Sequence, residues 1–140
     1  MQAVVRWQED ARFEAESGSG HRVVLDGSVE RGGRDKGPRP MELVLMGVGG
    51  CSSFDVVDFL RKGRQEVVDC RCELEADRAD SVPNVFTHIR MHFVVTGHNL
   101  SEAKVARAVA LSAERYCSAS IMLSRGGAEV IHTHEVVEAA

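Results

Sequence analysis

The sequence predicts an α+β fold, antiparallel sheet with helices to one side, and three observations carry that prediction. Short β-patterned segments separated by turn residues fill positions 3 to 25. A single long apolar segment then runs from Pro40 to Lys62, with helix-start and helix-stop residues at its ends. Two long β-patterned segments, two helical ones and a last strand follow, so the chain reads βββ–α–ββ–α–α–β.

The first strand is Ala3-Val4-Val5-Arg6-Trp7 and the second is the short run Arg12 to Ala15. Ser17-Gly18-Ser19-Gly20 is a turn, and His21 to Leu25 is a third strand ending at Asp26-Gly27, which completes a small meander. From Ser28 to Pro40 the chain is rich in glycine, proline and basic residues. It is a solvated loop, longer than an ordinary connection and so a candidate for a functional role.

Pro40 has the fixed φ that a first helical turn accepts, and Glu42 puts negative charge where a helix N-terminus favours it. Arg61-Lys62-Gly63 is a basic last turn followed by the usual terminating glycine. Between these ends only Asp55 and Asp58 are charged, so the helix is apolar over most of its circumference and needs burial on nearly all sides. An intimate dimer supplies that burial more readily than a 140-residue monomer does.

Glu66 to Ala76 alternates, with Val68, Cys70, Cys72 and Leu74 on one face and Asp69, Arg71, Glu73 and Glu75 on the other. Asp80 to Asn84 connects it to a strand over Phe86 to Val95. Asn99-Leu100-Ser101-Glu102 opens a second helix whose inner face is Val105, Ala108, Val109, Leu111 and Ser112, ending near Tyr116. A helical piece from Ser118 to Ser124 stops at Gly126-Gly127, and the last strand is Ala128 to Val137. With no repeat and no compositional seam, residues 1–140 read as one domain.

Composition excludes several function classes. Apolar residues are 44% and charged residues 27%, a globular balance, and the net charge is 17 − 21 = −4. That sign, the lack of a dense basic stretch and an aromatic content of 5% argue against nucleic acid as a partner. No apolar run is expected to reach the roughly 20 residues of a membrane span. The opening MQAVVRWQED has no secretory pattern, so the expected location is cytoplasmic. The four cysteines, Cys51, Cys70, Cys72 and Cys117, then read as reduced thiols. None forms a C-x-x-C pair or has structural-zinc spacing.

His132 and His134 share a face of the last strand, and His88 and His92 can share a face of another. Side by side, such strands could gather three or four imidazoles. No acidic or cysteine ligand accompanies them by motif, and alternation on a solvated sheet face accounts for the pattern, so no metal is expected. Cys70 and Cys72 read as core packing, because i, i+2 positions on one strand are poorly placed for a bridge.

PMELVLMGVGGCSSFDVVDFLRKGRQ, with its small residues Gly47, Gly49 and Gly50 before Cys51, and LSAERYCSASIML around Cys117 carry a resemblance. Over essentially its whole length the chain resembles the OsmC/Ohr family of osmotically induced and organic-hydroperoxide-resistance proteins, closest to the YhfA-like branch. The resemblance implies an intertwined homodimer with six-stranded antiparallel sheets around two long central helices and active sites at the subunit interface. It implies a cofactor-free, thiol-dependent reductase of organic hydroperoxides, with Cys51 as the peroxidatic and Cys117 as the resolving cysteine. An external dithiol would regenerate the pair.

Such chemistry needs a thiolate to attack the peroxide and a second thiol close enough to trap the sulfenic acid as a disulfide. Bridging requires Cα atoms roughly 5.5–6 Å apart, and both cysteines have small neighbours that leave room for approach. The resemblance also implies a helix-start glutamate, Glu42, organising an arginine beside the thiolate. Family members carry that arginine roughly where this chain reads Val24-Leu25-Asp26-Gly27, which leaves Arg22, Arg34 and Arg39 as candidates, Arg39 being nearest the motif. Nine residues of helix put Glu42 about 13 Å along the axis from Cys51, so it would act through an arginine or a partner subunit. A simple helix-end charge is the other reading of Glu42. The alternative function is a dimeric binding protein on the same scaffold, holding a small apolar or thiol ligand without turnover.

Overall fold

The computed structural model describes residues 1–140, which form two compact units, Met1–Val44 and Leu45–Ala140. In the first, β1 (Ala3–Glu9), β2 (Arg12–Ser17) and β3 (Arg22–Leu25) make an antiparallel meander in the order β1-β2-β3. The registers place Phe13 opposite both Trp7 and Leu25. No large apolar residue of this unit is buried: Val4, Val5, Trp7, Val23 and Val24 are all exposed. A three-stranded sheet without a covered apolar face lacks its principal source of stability.

What this unit does bury is Asp26, at 2% exposure. Its carboxylate accepts the amide N–H groups of Gly27 (2.8 Å), Arg34 (3.0 Å) and Lys36 (3.2 Å), and so folds the basic loop back on the end of β3. Gly33 is required there, since a Cβ would lie 1.8 Å from the Gly27 carbonyl oxygen. The loop contains one short 3-10 turn, Val29–Arg31.

Helix α1 spans Pro40–Lys62, and the boundary between the units falls within its first turns. The Gln65 N–H donates to the Leu60 carbonyl and the Gly63 N–H to that of Phe59, both at 2.9 Å, which terminates the helix. Val48, Ser52, Val56 and Leu60 recur every fourth residue and are buried to 1% or less. Within one chain full burial is confined to that stripe and Gly49, so burial on the remaining sides would have to come from outside this chain. Met46 is 55% and Phe54 73% exposed, because one chain has only enough other elements to cover a single face.

The same helix corrects the expectation about apolar runs. On length and composition Pro40–Lys62 is long and apolar enough to cross a membrane, with a mean hydropathy of 1.6 in its most apolar window. Its Ser52 and Asp55 are nevertheless hydrogen-bonded to a neighbouring helical turn, as in a helix packed against protein.

The second unit holds β4 (Glu66–Arg78), β5 (Phe86–His98), α2 (Glu102–Leu111), a π-helical turn (Ser112–Tyr116), α3 (Ser118–Arg125) and β6 (Glu129–Glu138). Ser101 caps α2 by accepting the Lys104 N–H. Strand order is β4-β5-β6, with β4 and β5 antiparallel but β5 and β6 parallel. The expectation of purely antiparallel sheet is therefore corrected: the two helices between β5 and β6 form a crossover, which returns the chain to the starting end of β5. Within one chain there are two three-stranded sheets, not one of six. The core comprises Ile89, Met91, Phe93 and Val95 of β5, Val105 and Val109 of α2, and the α1 stripe.

One residue of β4 departs from simple alternation. The register shifts between Val67 and Asp69, and Val68 is 60% exposed, whereas Cys70, Cys72 and Leu74 are half-buried as expected. An extra residue at a bulge reverses the faces on either side of it.

Candidate active site: a thiol pair held by buried serines

Cys51 lies midway along α1 and is half-buried. Cys117 is fully buried at the junction between the π-helical turn and α3, in extended backbone (φ −71°, ψ 105°). Its N–H donates to the Ser112 carbonyl at 2.8 Å, closing the wide turn. Its Sγ accepts the Ser120 N–H at 3.4 Å, which makes Cys117 the N-cap of α3. The Ser120 hydroxyl bonds to the Ala113 (3.0 Å) and Cys117 (3.3 Å) carbonyls.

The thiols of Cys51 and Cys117 are near enough to influence each other's ionisation, and all four cysteines are free. Burial pushes the Cys117 thiol up, the Ser120 hydrogen bonds pull the other way, and the Cys51 thiol adds to the rise. Burial also raises Cys70, with help from Asp69, and pushes Cys72 up to about 11 against a hydrogen bond with Ser53. Three of the four are thus biased toward the thiol, the form that does not attack a peroxide. The Cys72 thiol is also electrostatically coupled to Cys117, so its strand face borders the pair.

Beneath the cysteines is a polar knot that sequence reasoning missed. The hydroxyls of Ser52 and Ser112, both fully buried, are 2.8 Å apart. Ser112 Oγ also lies 3.1 Å from the Ser52 carbonyl and 3.1 Å from Asp55 Oδ2. The available signal was a serine on the otherwise apolar inner face of the second helix, in phase with Val105 and Val109. An open groove of about 520 Å³ runs along the exposed face of α1, lined by Gly50, Phe54, Val57, Arg61 and Cys70 among others but not by Cys51.

The other expected site residues belong to the N-terminal unit. Glu42 Oε1 accepts the Arg39 N–H at 2.9 Å and lies 3.8 Å from the Arg39 guanidinium, so these two residues pair. Arg34 binds Asp10 at 2.8 Å, and Arg22 binds Glu16 at 3.2 Å. In the stretch Val24-Leu25-Asp26-Gly27, where the resemblance implies an arginine, Asp26 is buried and bound by amides.

The histidines do not converge. His132 and His134 pair in register with buried Met91 and Phe93, and their rings reach Glu114 (3.1 Å) and Glu102 (2.6 Å) on the helical segments. His88 and His92 are on the opposite face, near Asp77 and Glu129 and near Thr133 and Glu135 respectively. The parallel register puts adjacent histidines out of phase, and no group of three His, Cys, Asp or Glu residues could hold a metal ion.

Residues 33–133, which include both cysteines and the serine knot, match the family model of the OsmC-like proteins. The chain belongs to the OsmC-like family. Among its relatives, this OsmC-like chain is 52% identical to Protein YhfA of Escherichia coli K12 over 139 residues, covering 99% of the chain and all of that protein. A solved structure from Aquifex aeolicus VF5 is 28% identical with a TM-score of 0.86, covering 99% of this chain and 97% of that one. The organic hydroperoxide resistance protein OsmC of Legionella pneumophila is 18% identical with a TM-score of 0.70, covering 99% and 98%, and shares the OsmC-like fold.

Proposed function

We propose that this protein is a thiol-dependent reductase of organic hydroperoxides, with Cys51 attacking and Cys117 resolving. The observation that carries the reading is that a half-buried thiol and a buried one from distant parts of the chain are brought together: the hydroxyl of Ser52, next to Cys51, lies 2.8 Å from that of Ser112, whose carbonyl accepts the Cys117 N–H. The Cys51 thiolate attacks the terminal peroxide oxygen, the O–O bond breaks, and the alkoxide leaves as an alcohol after taking a proton. Cys117 then displaces hydroxide from the Cys51 sulfenic acid, which departs as water, and an S–S bond forms. A dithiol restores both thiols and becomes a disulfide. Cys51 is assigned as nucleophile because it is the half-buried member of the pair, whereas Cys117 is fully buried. The hydroperoxide-resistance name of the Legionella neighbour agrees with this chemistry.

Arg39 is assigned as the activating cation and Glu42 as the carboxylate that holds it, on the strength of their ion pair. The working form is a homodimer. Supporting it are the exposed Met46 and Phe54 on α1, and Gly47 and Gly50, whose missing side chains would meet no atom within 4 Å. The absence of buried apolar residues in Met1–Val44 points the same way. The family match crosses the boundary between the two units, which supports a single domain over residues 1–140. A cytoplasmic location would supply the dithiol.

Rapid mixing of the reduced protein with an organic hydroperoxide, followed by mapping of the oxidised cysteines, tests the reading. A fast Cys51–Cys117 disulfide with release of one alcohol per bridge is expected. Cys51→Ser should abolish peroxide consumption, and Cys117→Ser should stop after one turnover with a trapped sulfenic acid. Full activity in Cys51→Ser would sink the mechanism. A second reading, a binding protein without turnover, is favoured by one observation: the stretch Val24-Leu25-Asp26-Gly27, where the resemblance implies an activating arginine, holds a buried aspartate instead. Co-purification of a small ligand together with inert thiols would decide for it.

A further inference from the structure

We propose that Ser112 is the positioning residue of the thiol pair, and that its hydroxyl sets how closely Cys117 approaches Cys51. The proposal rests on the reading of these cysteines as a reacting pair. Ser112 serves both sides of the site. Its carbonyl accepts the Cys117 N–H at 2.8 Å, and its hydroxyl is 2.8 Å from the hydroxyl of Ser52, the residue that follows Cys51. One fully buried residue therefore joins the two, its hydroxyl to the peptide following Cys51 and its carbonyl to the Cys117 N–H.

The hydrogen inventory makes this a directed connection. A serine hydroxyl has one proton to donate and can accept two. Ser112 has three oxygens around it: Ser52 Oγ (2.8 Å), the Ser52 carbonyl (3.1 Å) and Asp55 Oδ2 (3.1 Å). With Ser112 donating to the carbonyl or to the carboxylate, the Ser52 hydroxyl must donate to Ser112. Every buried side-chain oxygen and nitrogen in the molecule has a partner, so deleting the Ser112 hydroxyl strands groups that have no water to turn to.

The local backbone explains why a clamp is needed. Ser112–Tyr116 is a π-helical turn, wider than an α turn and rarely stable by itself; such turns recur at functional sites. It delivers Cys117 in extended backbone instead of the next position of a regular helix. The Ser52–Ser112–Asp55 knot ties the first residue of this turn to α1 one step from Cys51. Holding two reacting groups at near-contact geometry supplies the effective concentration that makes their bond form quickly.

The test uses the full-length protein carrying Ser112→Ala, Ser52→Ala/Ser112→Ala, or Asp55→Asn, which keeps an acceptor at residue 55. Each is equilibrated in dithiothreitol redox buffers after its fold is verified by near-UV circular dichroism, and the Cys51–Cys117 disulfide is counted by mass. Ser112→Ala should lower the equilibrium constant for the bridge about tenfold or more. A tenfold change raises the potential of the pair by about 30 mV. Asp55→Asn, which keeps an acceptor for the Ser112 hydroxyl, should lower the equilibrium constant less than Ser112→Ala does. A folded Ser112→Ala protein with wild-type potential overturns the proposal, because loss of stability alone does not move the potential of a folded pair.

If Ser112→Ala does not fold, the double variant is read in its place, since removing both partners of a buried hydroxyl pair strands fewer groups. If the wild type forms no Cys51–Cys117 disulfide, the reductase reading falls, and Cys117 labelling by a thiol reagent judges the clamp separately. Labelling should be at least about tenfold faster in the folded variant, since its turn is no longer held; unchanged labelling overturns the proposal.

Discussion

Cys117 caps the N-terminus of helix α3: its Sγ accepts the Ser120 amide N–H at 3.4 Å, while the Ser120 hydroxyl holds the Ala113 and Cys117 carbonyls. A thiol in this position is buried yet has a donor directed at its sulfur. Ser120→Ala keeps the amide donor but removes the hydroxyl that works against the rise of the Cys117 thiol. The variant should lose about 1 kcal/mol of stability by denaturant unfolding, and its Cys117 should label more slowly at fixed pH. Faster labelling with unchanged stability would contradict this account of the cap.

The two faces of α1 should respond differently to mutation. Leu60 is 1% exposed, so Leu60→Ala should cost about 2–5 kcal/mol, read from the urea midpoint. Phe54 is 73% exposed within the chain, so Phe54→Asp should leave secondary structure intact and convert the proposed dimer to monomer in sedimentation velocity. Retention of the dimer in Phe54→Asp would place the interface elsewhere.

Asp26 makes the basic loop sensitive to acid. The Arg34 amide hydrogen bond, opposed by burial and assisted by the Lys36 and Gly27 amides and by Arg12, holds its carboxyl below the ordinary value of 3.8. A depressed folded pKa stabilises the folded form above the unfolded pKa, and that contribution disappears as pH falls through the lowered value. At neutral pH Asp26→Asn should therefore be less stable than wild type, with the loop at residues 28–40 open to protease. The difference should shrink as pH is lowered below about 4.

Cys72 should ionise only at high pH. With its pKa pushed up to about 11, roughly one molecule in a thousand carries the thiolate at about pH 8, against about a quarter for an ordinary thiol. Labelling of Cys72 in the folded protein should rise about tenfold per pH unit from about pH 8 to 10. A plateau near the ordinary thiol value would mean that the strand face bearing Cys72 opens readily.

Much of this protein is local in origin and was legible from the chain alone. The element order and the ends of α1 follow from Pro40, Arg61, Lys62 and Gly63, since capping and turn residues act within a few positions of themselves. The two cysteine motifs were equally plain. Tertiary structure decided what depends on partners distant in sequence. The crossover made β6 parallel to β5, its register separated the histidines onto opposite faces, and a bulge at Val68 turned a core position outward. Sequence supplied the serines, but only packing could show that Ser52 and Ser112 share a buried hydrogen bond beneath Cys51 and Cys117. A hydroxyl carries no sign of its partner until the fold has removed water from around it.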